Sequence, residues 1–192
     1  MAELKGAIAL LPDRELANRL AAAALAAHRA TAGRLRWPRL PPHLSLEQPF
    51  AAPDPSAVER YLAGLASSVP EVSVSLAGVE QRLASPHGPE AIVWVAVQPS
   101  EGLLSLHERL DADLGPASPE PSIPLEEERH RFHLTLGFLP AWIPELDVEA
   151  LSAELRGLEV TFAEAALFLY DGLPRAGWQS MLYRRVRLGA GA

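Results

Sequence analysis

Apolar and polar positions change period several times along the chain, and each change marks an element. Lys5 to Leu11 (KGAIALL) is a short apolar run that predicts a buried strand. Asp13 then caps a helix in which Leu16, Leu20 and Ala24 recur on one face and which Gly33 ends. After the loop GRLRWPRLPP comes a short strand around His43. A second helix, opened by Asp54 with Pro55 in its first turn, carries Val58, Leu62 and Leu65 inward and stops before Pro70. Val72, Val74 and Leu76 alternate with Ser73, Ser75 and Ala77, the period of a half-buried strand.

The same order then recurs. AIVWVAV, from Ala91 to Val97, predicts a fully buried strand, and Ser100 caps a helix with Leu103, Leu106, Leu110 and Leu114 on its stripe, closed by Gly115. Beyond the proline-rich GPASPEPSIPLEEER lie a strand around His133 and a helix with Leu151, Leu155 and Leu158. A strand region from Val160 to Tyr170, an Asp171-Gly172 turn and a strand from Trp178 to Leu188 complete the chain. Aligning the two halves matches His43 with His133 and Val72 with Val160. This repetition predicts an α+β fold of two pseudo-symmetric lobes, each an antiparallel-type sheet flanked by helices, around a central cleft. The chain is read as one bilobal domain, residues 1–192, with approximate halves 1–88 and 89–192.

The two histidine strands carry the chemistry. His43-Leu44-Ser45-Leu46 and His133-Leu134-Thr135-Leu136 are both apolar at the second and fourth positions. Side chains alternate along a strand, so the leucines point to the core while His43 and Ser45, or His133 and Thr135, point together to the other side. In the second copy the alternation extends further, with Phe132, Leu134, Leu136 and Phe138 on one face and Arg131, His133, Thr135 and Gly137 on the other. Two imidazoles facing one phosphate can divide a displacement at phosphorus between base and acid. Two hydroxyls can hydrogen-bond the nonbridging oxygens as charge develops there.

Composition narrows the alternatives. The chain has no cysteine, which excludes disulfides, thiolate metal sites and cysteine nucleophiles and fits a reducing cytoplasm. A formal charge of −7 argues against a broad basic face for extended DNA or RNA, while leaving a small or terminal phosphate open as ligand. No apolar run approaches a bilayer span, and no signal peptide is read. His130 and His133 face opposite ways on a strand, so no metal site is expected there.

With these motifs the sequence resembles the 2H phosphoesterase superfamily, which includes 2′-5′ RNA ligase-like proteins and RNA 2′,3′-cyclic phosphodiesterases. The resemblance covers essentially the whole chain. It implies metal-free hydrolysis of a 2′,3′-cyclic phosphate or related phosphodiester on a nucleotide or RNA end, with His43 and His133 catalytic and Ser45 and Thr135 binding phosphate. No cofactor is implied, and a cytoplasmic monomer is expected. The alternatives are 2′-5′ RNA ligation and a non-catalytic module that holds a phosphorylated ligand or RNA end.

Other residues carry weaker readings. Arg131 shares a strand face with His133 and is a further candidate phosphate contact, beside the plainer reading of a solvated ion-pairing arginine. Trp37 is read first as loop packing and second as a base-stacking group. His107 flanks the core; His28 and His87 have no assigned role. Tyr183, Arg185 and Arg187 alternate on one face of the last strand, toward either cleft or solvent. The loop from Pro116 to Glu128 is read as a linker between lobes.

Overall fold

Asp13 accepts a hydrogen bond from the Leu16 amide at 2.8 Å and Asp54 one from the Ser56 amide at 3.0 Å, so the first two helices begin where their capping residues predict. The computed structural model describes residues 4–46, 50–84, 88–114, 132–170 and 180–189. In chain order its elements are β1 (Lys5–Leu11), α1 (Arg14–Ala30), β2 (Leu44–Ser45), β3 (Phe50–Ala51), α2 (Pro55–Ser68), β4 (Val72–Leu83) and β5 (Ala91–Gln98). They continue with α3 (Glu101–Leu114), β6 (His133–Leu139), α4 (Val148–Ser152), β7 (Glu159–Phe162), β8 (Glu164–Tyr170) and β9 (Ser180–Arg187). Gly115, the 116–128 loop, His87, His130, Arg131, the Asp171-Gly172 turn and Trp178 lie outside the described residues.

The helices bury the faces their spacing predicts: Leu16, Leu20 and Ala24 in α1, Leu62 and Leu65 in α2, Leu103, Leu106 and Leu110 in α3. The fourth is shorter than expected. It ends at Ser152, and Leu155 is buried in the turns that follow. The Gly157 amide donates to the Leu76 carbonyl at 2.8 Å and the Leu76 amide to the Leu158 carbonyl at 3.0 Å, so backbone groups there extend the edge of β4 instead of another helical turn.

All strands join one antiparallel sheet in the order β7-β4-β5-β6-β2-β1-β8-β9, with β3 also paired to β1. Outward from the β6–β2 junction the sheet reads β6-β5-β4-β7 on one side and β2-β1-β8-β9 on the other, an arrangement with two-fold character. The fold is therefore the expected α+β pair of pseudo-symmetric lobes, but the lobes exchange strands. β4, from the first half of the chain, pairs with β5, while β8, from the second half, pairs with β1. The sheet halves thus do not coincide with residues 1–88 and 89–192, and the counterpart of Val72 lies in β8 and not at Val160. The β4–β7, β2–β6 and β1–β8 pairings join segments that are not consecutive, and the period of a strand carries no information about its neighbour.

The expected strand from Val160 to Tyr170 also divides. Ala163 separates β7, at one edge of the sheet, from β8, next to the other. Cα atoms two residues apart are at most about 7 Å apart, whereas six strand spacings of a flat sheet cover roughly 29 Å. The sheet therefore curls strongly. One core cluster joins Ile8, Leu10, Leu44, Val93, Val95 and Leu134 of the strands to the buried faces of α1, α2 and α3. Ala9, Leu11, Ala166 and Phe168 form a smaller cluster on the opposite sheet face, against which Leu40 packs. No helix among the described residues is long and apolar enough to cross a membrane.

Leu134 is fully buried where the two sheet halves meet. Leu134→Ala is expected to cost about 2–5 kcal/mol through lost burial and an unfilled cavity. The loss should appear as a lower urea midpoint at unchanged slope.

Candidate active site

Among the described residues, β2 and β6, where the halves of the sheet meet, pair at Leu44 opposite Leu134. Directly opposed residues of an antiparallel pair project to the same face. Both leucines are fully buried, so their neighbours project together from the other face. Continuing the register sets His43 opposite Thr135 and Ser45 opposite His133. Each histidine thus faces the hydroxyl of the other motif, and the two histidines are diagonal neighbours, roughly 7–8 Å apart at the backbone. The four residues expected from sequence are brought to one surface.

His43 lies over an apolar floor, its ring centroid 4.9 Å from that of Phe168. Its Nδ1 is 2.9 Å from the Pro41 carbonyl oxygen. A carbonyl only accepts, so the bond assigns the proton to Nδ1 and leaves Nε2 as the lone-pair nitrogen of the neutral ring. Burial pulls the His43 pKa below its ordinary value, opposed in part by the bond to Pro41, which favours the charged form.

The second histidine sits in different surroundings. The Trp94 indole stacks on the His133 imidazole, with centroids 4.2 Å apart and planes 28° apart. The strand Ala91–Val97, expected to be buried throughout, has Ile92 and Trp94 half-exposed on the face that carries the motifs. Sequence reasoning missed Trp94 because an unbroken apolar run conceals the strand's period. His107, read as flanking the core, has its Nδ1 2.6 Å from the Leu46 carbonyl oxygen and its ring edge-on to Phe132 at 5.4 Å. Since Leu46 ends the first motif and Phe132 precedes the second, α3 braces both histidine strands through this one side chain.

A cavity of about 520 Å³ opens on this surface, lined by His43 and Thr135 together with Arg36, Arg39, Phe138, Tyr170 and neighbouring residues. That volume suits a small-molecule ligand. Its described lining contains two arginines and no carboxylate, a local reversal of the chain's overall negative charge. Burial raises the Tyr170 pKa, which keeps the phenol protonated and able to donate.

Phe138 corrects the alternation read from sequence. Val93 pairs with Gly137 and Trp94 with Thr135, so Leu136 is an extra residue in β6. This β-bulge shifts the phase of the strand: Gly137 and Leu139 turn inward, and Phe138 turns out to the cavity. A bulge in β9 acts similarly. Arg184 pairs with Leu167 and Leu182 with Phe168, so Tyr183 falls out of the row of Arg185 and Arg187. Those two arginines share a separate cavity of about 430 Å³ with Leu11, Arg14 and Glu164, and Arg185 lies 3.8 Å from Glu164. His28 lies with its ring centroid 5.0 Å from that of Trp37 and its Nδ1 2.8 Å from the Leu35 carbonyl oxygen. Among the described residues no three His, Asp or Glu side chains converge as a metal site.

The family model described as the 2′-5′ RNA ligase superfamily matches residues 12–174. No curated protein sequence matches the chain. Among solved structures, TT0787 of Thermus thermophilus is 20% identical, with 96% of this chain and 98% of that one covered and a TM-score of 0.67. Escherichia coli LigT in apo form is 17% identical, with coverages of 98% and 99% and a TM-score of 0.62. The same protein complexed with 3′-AMP gives 17%, coverages of 98% and 99%, and 0.58. At such identities the likeness is one of fold.

In an NMR titration of the free protein, the His43 imidazole is expected to show a midpoint below the ordinary histidine value of about 6.5, with Nδ1 as the protonated nitrogen of the neutral ring. A midpoint above that value would contradict the desolvated environment.

Proposed function

Because the chain belongs to the 2′-5′ RNA ligase superfamily of 2H phosphoesterases, we propose that it hydrolyses a 2′,3′-cyclic phosphate, or a related phosphodiester, on a nucleotide or RNA end without a metal ion. The observation that carries this reading is the Leu44–Leu134 register, which supports one site shared by both motifs. LigT has been crystallised with 3′-AMP, and we carry nucleotide binding over from that relative as part of the proposal.

The two ring environments support a division of labour. His43, with its lowered pKa and Nδ1–H directed to Pro41, is the base. Its Nε2 takes a proton from water as the water oxygen bonds to phosphorus. His133 is the acid, because the indole face of Trp94 attracts an imidazolium. As the bond from phosphorus to the ribose 2′ or 3′ oxygen breaks, His133 delivers its proton to that oxygen, and solvent restores both rings. Thr135 and Ser45 donate hydrogen bonds to the nonbridging oxygens, and Arg36 and Arg39 supply positive charge beside them. The products are a phosphomonoester and a ribose hydroxyl. The same groups run in reverse would join ends, but 24 acidic against 17 basic residues disfavour the hold on long RNA that ligation needs. We read the protein as a cytoplasmic monomer, consistent with a chain that has no cysteine.

Purified protein treated with EDTA should retain turnover of 2′,3′-cyclic nucleotides. His43→Ala and His133→Ala should each lower kcat by about 10²- to 10⁴-fold. The base must be unprotonated, so kcat/KM should rise with pH through a midpoint below about 6.5 and fall again when His133 loses its proton. Near-normal turnover in both variants would refute the two-histidine mechanism, and loss of activity with EDTA would refute its metal independence.

A further inference from the structure

The sequence period assigns Phe138 to the core beside Leu134 and Leu136, yet its ring is 39% exposed. Three local features turn it outward. The bulge at Leu136 reverses the phase of β6. Phe138 then forms an isolated antiparallel bridge with Arg36, in which each amide donates to the other's carbonyl at 2.8 Å. Gly137 allows that approach, since a Cβ there would lie 2.7 Å from the Arg36 carbonyl oxygen and 2.7 Å from Leu35 Cγ. No larger residue fits without moving the bridge.

The same bridge sets the direction in which the proline-rich WPRLPP loop leaves β6. Trp37, the next residue, is 57% exposed and is backed on one side by the His28 ring. Trp37, Phe138 and Arg36 line the same cavity as His43 and Thr135. Phe138 is three residues along the strand from Thr135, a rise of about 10 Å at most, comparable to the reach from a nucleotide's phosphate to its base. Turning a large aromatic side chain out of the core forgoes burial worth keeping, and bulges beside sites commonly re-aim a side chain.

We propose that Phe138 and Trp37 form an aromatic platform for the nucleobase of the ligand whose phosphate lies between His43 and Thr135. Arg36 lines the same cavity; its contact with Glu90, 3.6 Å between two well-exposed side chains, is weak enough to yield to a ligand. The occupant is a flat heteroaromatic ring, because the described walls offer aromatic faces and an arginine but no carboxylate. This inference rests on the reading of the site as a phosphate site, and it adds the part of the ligand that the two motifs do not touch.

Calorimetric titration of the full chain with adenosine 2′- and 3′-monophosphates and with inorganic phosphate tests it without turnover. The ratio of nucleotide to phosphate affinity should fall about 5- to 150-fold in Phe138→Ala and in Trp37→Ala, the range of base–aromatic stacking. Phe138→Tyr, which keeps the ring, should hold the ratio near that of the wild type. A ratio unchanged in both alanine variants, a loss as large in Phe138→Tyr as in Phe138→Ala, or a wild type that binds nucleotide no better than phosphate would overturn the platform. A chain that shows the selective loss but fails to hydrolyse cyclic phosphates supports the platform and refutes the proposed reaction; a chain that hydrolyses them with the ratio unchanged does the converse.

Discussion

The antiparallel contact between Leu44 and Leu134 is the constraint on which the rest depends. It is the one ladder pair joining the two halves of the sheet among the described residues, and both side chains are fully buried. Because it lies at the second position of each motif, sealing the core and assembling the polar surface are one event. A slip of one residue would exchange the faces, burying the histidines and exposing the leucines, and the hydrophobic penalty forbids it. His107 reinforces the register from the helical side, holding Leu46 at one strand and meeting Phe132 at the other.

A two-fold arrangement would by itself make the two histidines equivalent. The side chains beneath them break the equivalence: Phe168 beneath His43, the Trp94 indole against His133. Burial over that apolar floor favours the neutral form of His43; His133 instead has an indole stacked on it. Two like imidazoles thus sit in different surroundings, set by neighbours that the repeated motifs do not contain.

Much of the local structure was legible because it follows from short-range chemistry. Asp13 and Asp54 cap helices through bonds to amides two or three residues on, and the leucines of α1, α2 and α3 return to one face at helical spacing. Phe138, Trp94 and Tyr183 were not legible. Phe138 obeys a period that the bulge at Leu136 breaks, Trp94 hides in an unbroken apolar run, and Tyr183 is displaced by a bulge that its own sequence does not announce. Each bulge is set by the register with a partner strand, β5 for β6 and β8 for β9, and not by the strand's own residues. The arginine-lined wall likewise depends on Arg36 reaching β6 across about a hundred residues of chain.

By itself the sequence determined most of the elements, the buried faces of the first three helices, the two histidine strands and the pairing of each histidine with a hydroxyl two residues on, because alternation and capping act within a few residues. Only the tertiary structure decided that each histidine faces the other motif's hydroxyl, that β4 and β8 change lobes, and that Phe138 looks outward. Those outcomes are set by register between distant segments, where the burial of Leu44 against Leu134 outweighs any local preference.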